Sequence, residues 1–204
     1  MIKKSPIEIF SDWVDLGKDD GMEKNHSESV NAMLNKILKD LNDFTFIDAG
    51  CGNGWVVRYM NTQPMCTEAI GVDGASEMIN KAKRLDTKGR YYLSDLLDYK
   101  PSKKVELVHS MEVFYYFKDP SILVNHVKEN WLENKGRLII GVDYYKENKG
   151  CHNWSENVGT SMKMLSRKDW VNIFHSSGLS NIKHWLSCPN NDFLGTLVIT
   201  GTVT

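Results

Sequence analysis

Short apolar runs alternate with helical patterns through most of this chain. The apolar runs predict seven strands, at residues 44–48, 69–73, 90–93, 105–109, 137–142, 181–187 and 194–202. Helix-start signals and helical spacing predict the intervening helices, at residues 55–61, 76–85, 120–131 and 167–176. Regular alternation of strand and helix is typical of a mostly parallel sheet with right-handed crossovers.

Two helices are predicted ahead of the first strand. Ser5, Pro6 and Glu8 form a capping box with proline at the first helical position. A second helix is expected from about Ser27. Its apolar residues recur at three- and four-residue spacing, as a packed face requires: Val30, Met33, Leu34, Ile37, Leu38 and Leu41. We interpret residues 1–42 as an N-terminal helical cover.

These elements predict an α/β fold with a seven-stranded, mostly parallel sheet, helices on both faces and an antiparallel last strand. The last two strands should form a hairpin across residues 189–191. We expect one domain over residues 1–204, divided into cover (1–42), core (43–142), insertion (143–165) and C-terminal part (166–204). Ligands of such sheets bind beyond the carboxyl ends of the strands, so the candidate chemistry should follow each strand.

Composition narrows the function classes. The chain has 204 residues, with 25 Lys and Arg against 26 Asp and Glu, whereas nucleic-acid binding usually needs a basic excess. Four scattered cysteines without a Cys-x-x-Cys pair indicate reduced thiols and no metal site. The N-terminus from Met1 to Pro6 precedes no apolar signal region, and no long apolar run exists. We therefore expect a cytoplasmic protein that binds neither nucleic acid nor membrane, as a monomer or homodimer.

The loop after the first strand carries three glycines at alternate positions, Gly50, Gly52 and Gly54. A sharp strand-to-helix turn and close approach of a ligand to the backbone both favour glycine. The dinucleotide fingerprint is not matched, because the last glycine comes one residue early and Trp55 follows it. Asp73 ends the second strand, where an acidic group accepts from ribose hydroxyls of nicotinamide and adenosyl cofactors alike.

Five segments together resemble the class I S-adenosylmethionine-dependent methyltransferases. The stretch 46–54 resembles their first motif, and 71–79 resembles the motif that follows it. Weaker similarity appears at 92–96, 105–112 and 136–140, in the order of the family. The resemblance implies a Rossmann-like sheet, methyl transfer, and S-adenosylmethionine as cofactor, with S-adenosylhomocysteine as product.

The resemblance also implies roles for individual residues. Asp48 would anchor the amine of the cofactor, Asp73 its ribose and Asp95 its adenine. The complete set of predicted cofactor-binding residues is Trp13, His26, Asp48, Gly50, Cys51, Gly52, Gly54, Trp55, Asp73, Gly74, Met78, Ser94, Asp95, Leu96, Ser110 and Met111.

The acceptor side should be built from residues after the fourth and fifth strands and from the N-terminal cover. The insertion 143–165 is long and aperiodic, which is typical of a functional lid. Predicted substrate-binding residues are Tyr115, Tyr116, Asp143, Tyr144, His152 and Trp154. His152, Glu112 and Tyr116 are the candidate catalytic residues, and His26 and Asp143 are further candidate bases.

A small-molecule methyltransferase acting on oxygen, nitrogen, sulfur or carbon is the leading interpretation. Methylation of RNA or protein, and a catalytically silent S-adenosylmethionine-binding protein, remain alternatives. A nicotinamide dehydrogenase is a weaker one.

Overall fold

A computed structural model describes residues 3–204. Met1 and Ile2, which belong to the predicted N-terminal cover, lie outside the described residues. Seven strands form one sheet in the order β3-β2-β1-β4-β5-β7-β6. Their bounds are β1 Phe44–Ala49, β2 Cys66–Asp73, β3 Arg90–Leu93, β4 Val105–Met111, β5 Leu132–Val142, β6 Ser180–Ser187 and β7 Thr196–Thr202. Neighbouring strands are parallel except where β7 meets β5 and β6. The predicted Rossmann-like fold class is confirmed.

Helices cover both faces of this sheet. They are α1 Pro6–Asp15, α2 Asp20–Leu38, α3 Trp55–Met60, α4 Ser76–Leu85, α5 Pro120–His126, α6 Trp154–Val158 and α7 Arg167–Ser176. Helices α2, α3 and α4 share one apolar core with Phe46 of β1. Helices α5 and α7 share the other with Ile47. Successive side chains of a strand point to opposite faces, so β1 serves both cores.

Several element boundaries differ from the sequence prediction; β2, for example, begins at Cys66 instead of Ala69, and β4 ends at Met111 instead of His109. Strand β5 begins at Leu132, earlier than predicted. Its pairing with β4 shifts register between Val105 and Leu107, which leaves a bulge in β5. The bulge contains Lys135, whose φ is +66°. Helix α2 begins at Asp20 instead of near Ser27. Helix α5 continues over Val127–Trp131 as a π-helix rather than ending as regular α-helix.

Helix α1 has the predicted capping box, and no residue in it is buried. It is tied to the insertion by a bridge between Lys4 and Thr160. In that bridge the Thr160 hydroxyl donates to the Lys4 carbonyl at 2.9 Å. The insertion itself contains a 3₁₀ turn at Lys149–Cys151 and the short helix α6. The cover and the insertion are therefore joined to each other as well as to the sheet.

From Lys3 to the C-terminus, no helix has both the length and the apolar character needed to cross a bilayer.

Candidate functional site

A cavity of about 960 Å³ lies beyond the carboxyl ends of the parallel strands. Residues following β1, β2, β4 and β5 form its floor, and α1 with α6 contribute to its walls. The sheet order reverses between β1 and β4, which is where open α/β sheets bind ligands. The cavity thus occupies the position that the topology predicts.

Main-chain conformation shapes the glycine loop at one end of this cavity. Gly50 and Gly52 have φ values of +76° and +52°, which side-chain-bearing residues rarely adopt. A Cβ atom on Gly50 would also collide with the Val113 side chain. The Gly50 and Cys51 amides both donate to the Val72 carbonyl, at 2.8 and 3.1 Å, which anchors the loop to the end of β2.

Asp73 links this loop to the start of α4. Its two carboxylate oxygens accept from the Gly52 amide at 2.9 Å and from the Ala75 amide at 2.8 Å. Each oxygen keeps a free lone pair, and the side chain lines the cavity. Burial raises the pKa of Asp73, against the lowering effect of these amides. A carboxylate held in this way fits a pair of ribose hydroxyls.

Asp48 lines the same end and is held by a buried histidine. Its Oδ1 lies 2.7 Å from Nδ1 of His109, a residue with no exposed surface. His109 lies within β4, and its Nε2 is buried without a partner in the described part of the chain. A carboxylate fixed at the cavity wall fits the ammonium group of an amino-acid moiety.

The adenine positions expected from the sequence also line the cavity. Asp95 is exposed, and its Oδ1 accepts from the Leu97 amide at 2.8 Å. Leu96 and Met78 are buried beside it. One carboxylate flanked by two apolar side chains fits an aminopurine ring, so the residues at this end suit the whole adenosyl group.

Most of the predicted cofactor residues line the cavity together. They are Trp13, His26, Asp48, Gly50, Cys51, Gly52, Trp55, Asp73, Gly74, Met78, Asp95, Leu96 and Met111. Gly54, Ser94 and Ser110 do not. Gly54 begins α3 against Tyr91, the Ser94 hydroxyl donates to the Asp95 carbonyl, and the buried Ser110 hydroxyl donates to the Ala49 carbonyl. These three support the loops instead of facing the cavity.

Two acidic residues lie at the ends of β4 and β5. Glu112, at φ +61°, accepts from the Asp143 amide and, at 2.8 Å, from the Tyr115 hydroxyl. Burial, and then the charge of Asp143, raise the pKa of Glu112 well above its usual range. Burial raises the pKa of Asp143 to about 6. Both carboxyl groups line the cavity.

Asp143 is only 6% exposed, and its Oδ1 has no hydrogen-bond partner among the described residues. Its Oδ2 lies 3.9 Å from Nδ1 of His26 on α2. Burial lowers the pKa of His26, which favours the neutral imidazole. Oδ2 is the less deeply buried of the two oxygens, so it is the one that a donor in the cavity can reach.

Aromatic side chains wall this acidic end. Phe10 packs edge-on against Trp13 and Tyr116, with ring centroids 5.0 and 5.4 Å away. Tyr115 lies 4.6 Å from Tyr116 by the same measure. Trp154 also lines the cavity. Sequence reasoning named four of these aromatics and missed Phe10.

Two cavity residues that were not predicted, Ile7 and Phe10, lie on the same helix as the predicted Trp13. Ile7, Phe10 and Trp13 recur at three-residue spacing on a helix with no buried residue, and all three line the cavity. Phe193 and Asn190, also missed, come from the connection between β6 and β7. Nothing in the sequence pattern marks that connection as part of the site.

Two predicted acceptor residues do not line the cavity. His152 is exposed and its Nε2 lies 2.8 Å from the Lys146 carbonyl, so the prediction that it acts as catalytic base is corrected. Tyr144 is buried and packs against Tyr115, with ring centroids 5.4 Å apart. Tyr144 therefore packs behind Tyr115, which does line the cavity. Across residues 3–204, no group of three or more His, Cys, Asp or Glu is arranged to hold a metal ion.

Comparison with known proteins identifies the family. A family model described as a methyltransferase domain matches residues 19–184. The candidate methyltransferase 235L of Invertebrate iridescent virus 6 is 27% identical over 96 residues. That stretch covers 47% of this chain and 36% of the viral protein, so the match spans just over a third of that relative's length.

Solved structures share the fold. A candidate methyltransferase of Haloferax volcanii, in complex with the Trm112 methyltransferase activator, superposes with a TM-score of 0.84 at 24% identity, covering 95% of this chain and 97% of that one. A Thermotoga maritima structure described as a possible histamine N-methyltransferase gives 0.72 at 14% identity, covering 97% and 99%. The N-methyltransferase NodS of Bradyrhizobium japonicum, bound to S-adenosylhomocysteine, gives 0.66 at 15% identity, covering 87% and 86%. With the family match over most of its length, the chain belongs to the class I S-adenosylmethionine-dependent methyltransferases.

Proposed function

We propose that this chain transfers the methyl group of S-adenosylmethionine to a small-molecule acceptor held in the same cavity. The observation that carries the proposal is the continuity of that cavity. It runs from Asp73 and Asp95, which suit an adenosyl group, to Glu112 and Asp143, which no part of that group requires.

The residues of the glycine-loop end would hold the cofactor. Asp73 accepts from both ribose hydroxyls, and Asp48, oriented by His109, accepts from the amine. Gly50 and Gly52 let the backbone approach the amino-acid moiety. Asp95 accepts from the adenine amino group, whose ring packs on nearby apolar side chains. These roles follow from the lining residues and the family resemblance together.

The bound cofactor supplies an electrophilic methyl group on a sulfonium. The chain supplies alignment of the acceptor with that methyl, which contributes about 7–11 kcal/mol to such reactions. Aromatic faces such as Tyr116 and Trp13 would stabilise the positive charge by roughly 0.5–2 kcal/mol. Asp143 or Glu112 would take a proton from an acceptor that carries one.

Helix α1 and the insertion would act as a cover that excludes water. Both contribute side chains to the cavity wall, and the Lys4–Thr160 bridge couples them. We assign residues 1–42 to the N-terminal cover and 143–165 to a substrate lid of one methyltransferase domain. A cover of this kind limits the acceptor to a small molecule.

The Haloferax relative suggests a protein partner. We propose that a Trm112-type activator binds this chain at β3, the edge of the sheet, where Tyr92 and Leu93 are exposed. Exposed apolar residues on an open edge are typical of a binding surface. Co-expression with such an activator should yield a stable complex that Leu93→Lys disrupts. Separate elution of the two unmodified chains would reject the partner.

Two measurements test the enzyme assignment. Calorimetric titration with S-adenosylhomocysteine should show binding, and NADH should not bind. Transfer of radiolabel from S-adenosylmethionine should then appear on one or more members of a metabolite panel. Cofactor binding without transfer to any metabolite or extract component would favour a silent binding protein. Label on RNA or protein alone would favour a macromolecular substrate.

A further inference from the structure

We infer that the methyl acceptor is a basic amine on an apolar or aromatic body, and that Asp143 receives its ammonium group and takes its proton. This inference rests on the proposed function and specifies its acceptor.

The charges around the cavity are strongly biased. Five carboxylates line it, and among the described lining residues Lys18 is the one lysine or arginine. The cofactor accounts for three of these carboxylates, at Asp48, Asp73 and Asp95. Two remain for the acceptor. An anionic acceptor would be repelled by ionised Asp143, whereas a cationic one would be attracted.

Asp143 and Glu112 are not equivalent. Both oxygens of Glu112 already accept, from the Asp143 amide and the Tyr115 hydroxyl. Oδ1 of Asp143 is fully buried without a hydrogen-bond partner in the part of the chain that is described. The Thr196 hydroxyl, which lowers the pKa of Asp143, donates to Ser29. Oδ2 is the less deeply buried oxygen and lies 3.9 Å from Nδ1 of His26. A buried carboxylate that lacks donors is unfavourable. An ammonium N–H in the cavity would supply a donor to Oδ2, and Glu112 would hold the Asp143 backbone in place.

The rest of the acceptor would contact aromatic side chains. Trp13 and Tyr116 each pack against Phe10, and all three line the cavity. Such a wall accepts an apolar body and, close to the ammonium, adds a cation–π contact. An aryl- or alkyl-ethylamine therefore matches both the charge and the wall.

The reaction balances without a further reactant. The ammonium gives one proton to Oδ2 of Asp143, which leaves a neutral amine with a lone pair. That lone pair forms the N–C bond as the C–S bond breaks, and the electron pair of the C–S bond stays on sulfur. The nitrogen becomes a methylated ammonium, and Asp143 returns its proton to solvent. Burial raises the pKa of Asp143 to about 6. This pKa is closer to that of an ammonium group than the pKa of an ordinary carboxylate is, which makes Asp143 a better proton acceptor.

Matched ligands test the inference by binding. Phenylethyl, indolylethyl and hexyl compounds, each as the amine, the alcohol and the chain-matched carboxylate, are titrated calorimetrically into the protein saturated with S-adenosylhomocysteine. At least one amine should bind about tenfold or more tightly than its alcohol, and the carboxylate most weakly. The inference is overturned if no amine binds more tightly than its alcohol.

The variant Asp143→Asn keeps the shape and removes the charge. It should lower affinity for that amine about tenfold and leave affinity for the alcohol within about twofold. Asp40→Asn, at an exposed site beyond α2, is the matched control and should change neither. An amine preference that survives in Asp143→Asn would contradict the role of Asp143. Failure of the wild-type chain to bind S-adenosylhomocysteine would instead reject the proposed function.

Discussion

The two ends of the cavity are built differently. The glycine-loop end consists of main chain and short acidic side chains at the ends of β1 and β2, fixed by amides and by buried His109. The acidic end consists of side chains from α1, α2, α6 and the strand ends. Its cover helix α1 has no buried residue. The glycine-loop end is therefore built from the sheet itself, whereas the acidic end also depends on helices packed outside the sheet.

This difference separates residues that the backbone conformation restricts from residues that can be substituted without loss of the fold. A loop that needs φ values near +76° at Gly50 tolerates few other residues. Half-buried aromatics on a surface helix can be exchanged at small cost to the fold. The glycine-loop end therefore determines the cofactor, and the acidic end selects the acceptor. Four variants test this division, in order of decreasing expected effect.

The variant Gly50→Val should break the glycine-loop end. A β-branched residue at φ +76°, in collision with Val113, displaces the loop that the ligand must approach. We expect S-adenosylhomocysteine affinity to fall by more than about 3 kcal/mol, measured by calorimetry on folded protein. Gly17→Val is the control. Gly17 has φ +65° with open space around it, so this variant should keep its affinity. Equal losses in both variants would contradict a local effect.

The variant Asp73→Ala should weaken S-adenosylhomocysteine binding by about 1.5–3 kcal/mol, because charged hydrogen bonds to the ribose are lost. The same titration on Asp143→Asn should give the wild-type affinity within about twofold. Unchanged affinity of Asp73→Ala for S-adenosylhomocysteine would contradict the proposal that Asp73 binds the ribose. A matching loss in Asp143→Asn would show that the two ends are not separate.

The variant Asp143→Asn should alter stability in a pH-dependent way. Burial raises the pKa of Asp143 from 3.8 to about 6, so between these values the folded chain binds more protons at this group than the unfolded chain. Its ionisation therefore destabilises the fold increasingly as pH rises through that window. We expect Asp143→Asn to be more stable than wild type by about 1–2 kcal/mol at pH 8, and the difference to vanish near pH 4.

Urea unfolding at both pH values measures this difference. A stability difference that grows as the pH falls would reverse the predicted sign and contradict a buried, unpartnered carboxylate.

The variant Thr160→Val should loosen the cover with the smallest effect. It removes the hydroxyl that donates to the Lys4 carbonyl, at a cost of about 0.5–1.5 kcal/mol. Hydrogen exchange of the α1 amides should accelerate while that of β1 stays the same. Ser161→Ala, at the exposed neighbouring position, is the control. Unchanged exchange in α1 would mean that this side-chain hydrogen bond does not hold the cover.

The position of the glycine-loop end in the fold could be predicted from the sequence, for a physical reason. Gly50, Gly52 and Asp73 are adjacent to strands whose apolar pattern is unambiguous, so their place in the sheet follows from topology. The fold class follows from the same pattern. The bulge in β5 was missed because a register shift depends on pairing with β4, which no local pattern reports.

The acidic end was predicted less completely. Glu112, Tyr116 and Asp143 were predicted because they follow strands, and all three line the cavity. His152 was misjudged, because the 3₁₀ turn at Lys149–Cys151 directs the chain so that its ring meets the Lys146 carbonyl. Phe10 was missed because a residue that lines a cavity and one that packs in a core share the same helical spacing.

The most direct test is a crystal structure of the protein with S-adenosylhomocysteine. We expect both ribose hydroxyls to lie within about 3.2 Å of the Asp73 carboxylate. We also expect the thioether sulfur to face open space bounded by Glu112 and Asp143. An adenosyl group seated against Glu112 and Asp143, with Asp73 left free, would contradict the division of the cavity into a cofactor end and an acceptor end.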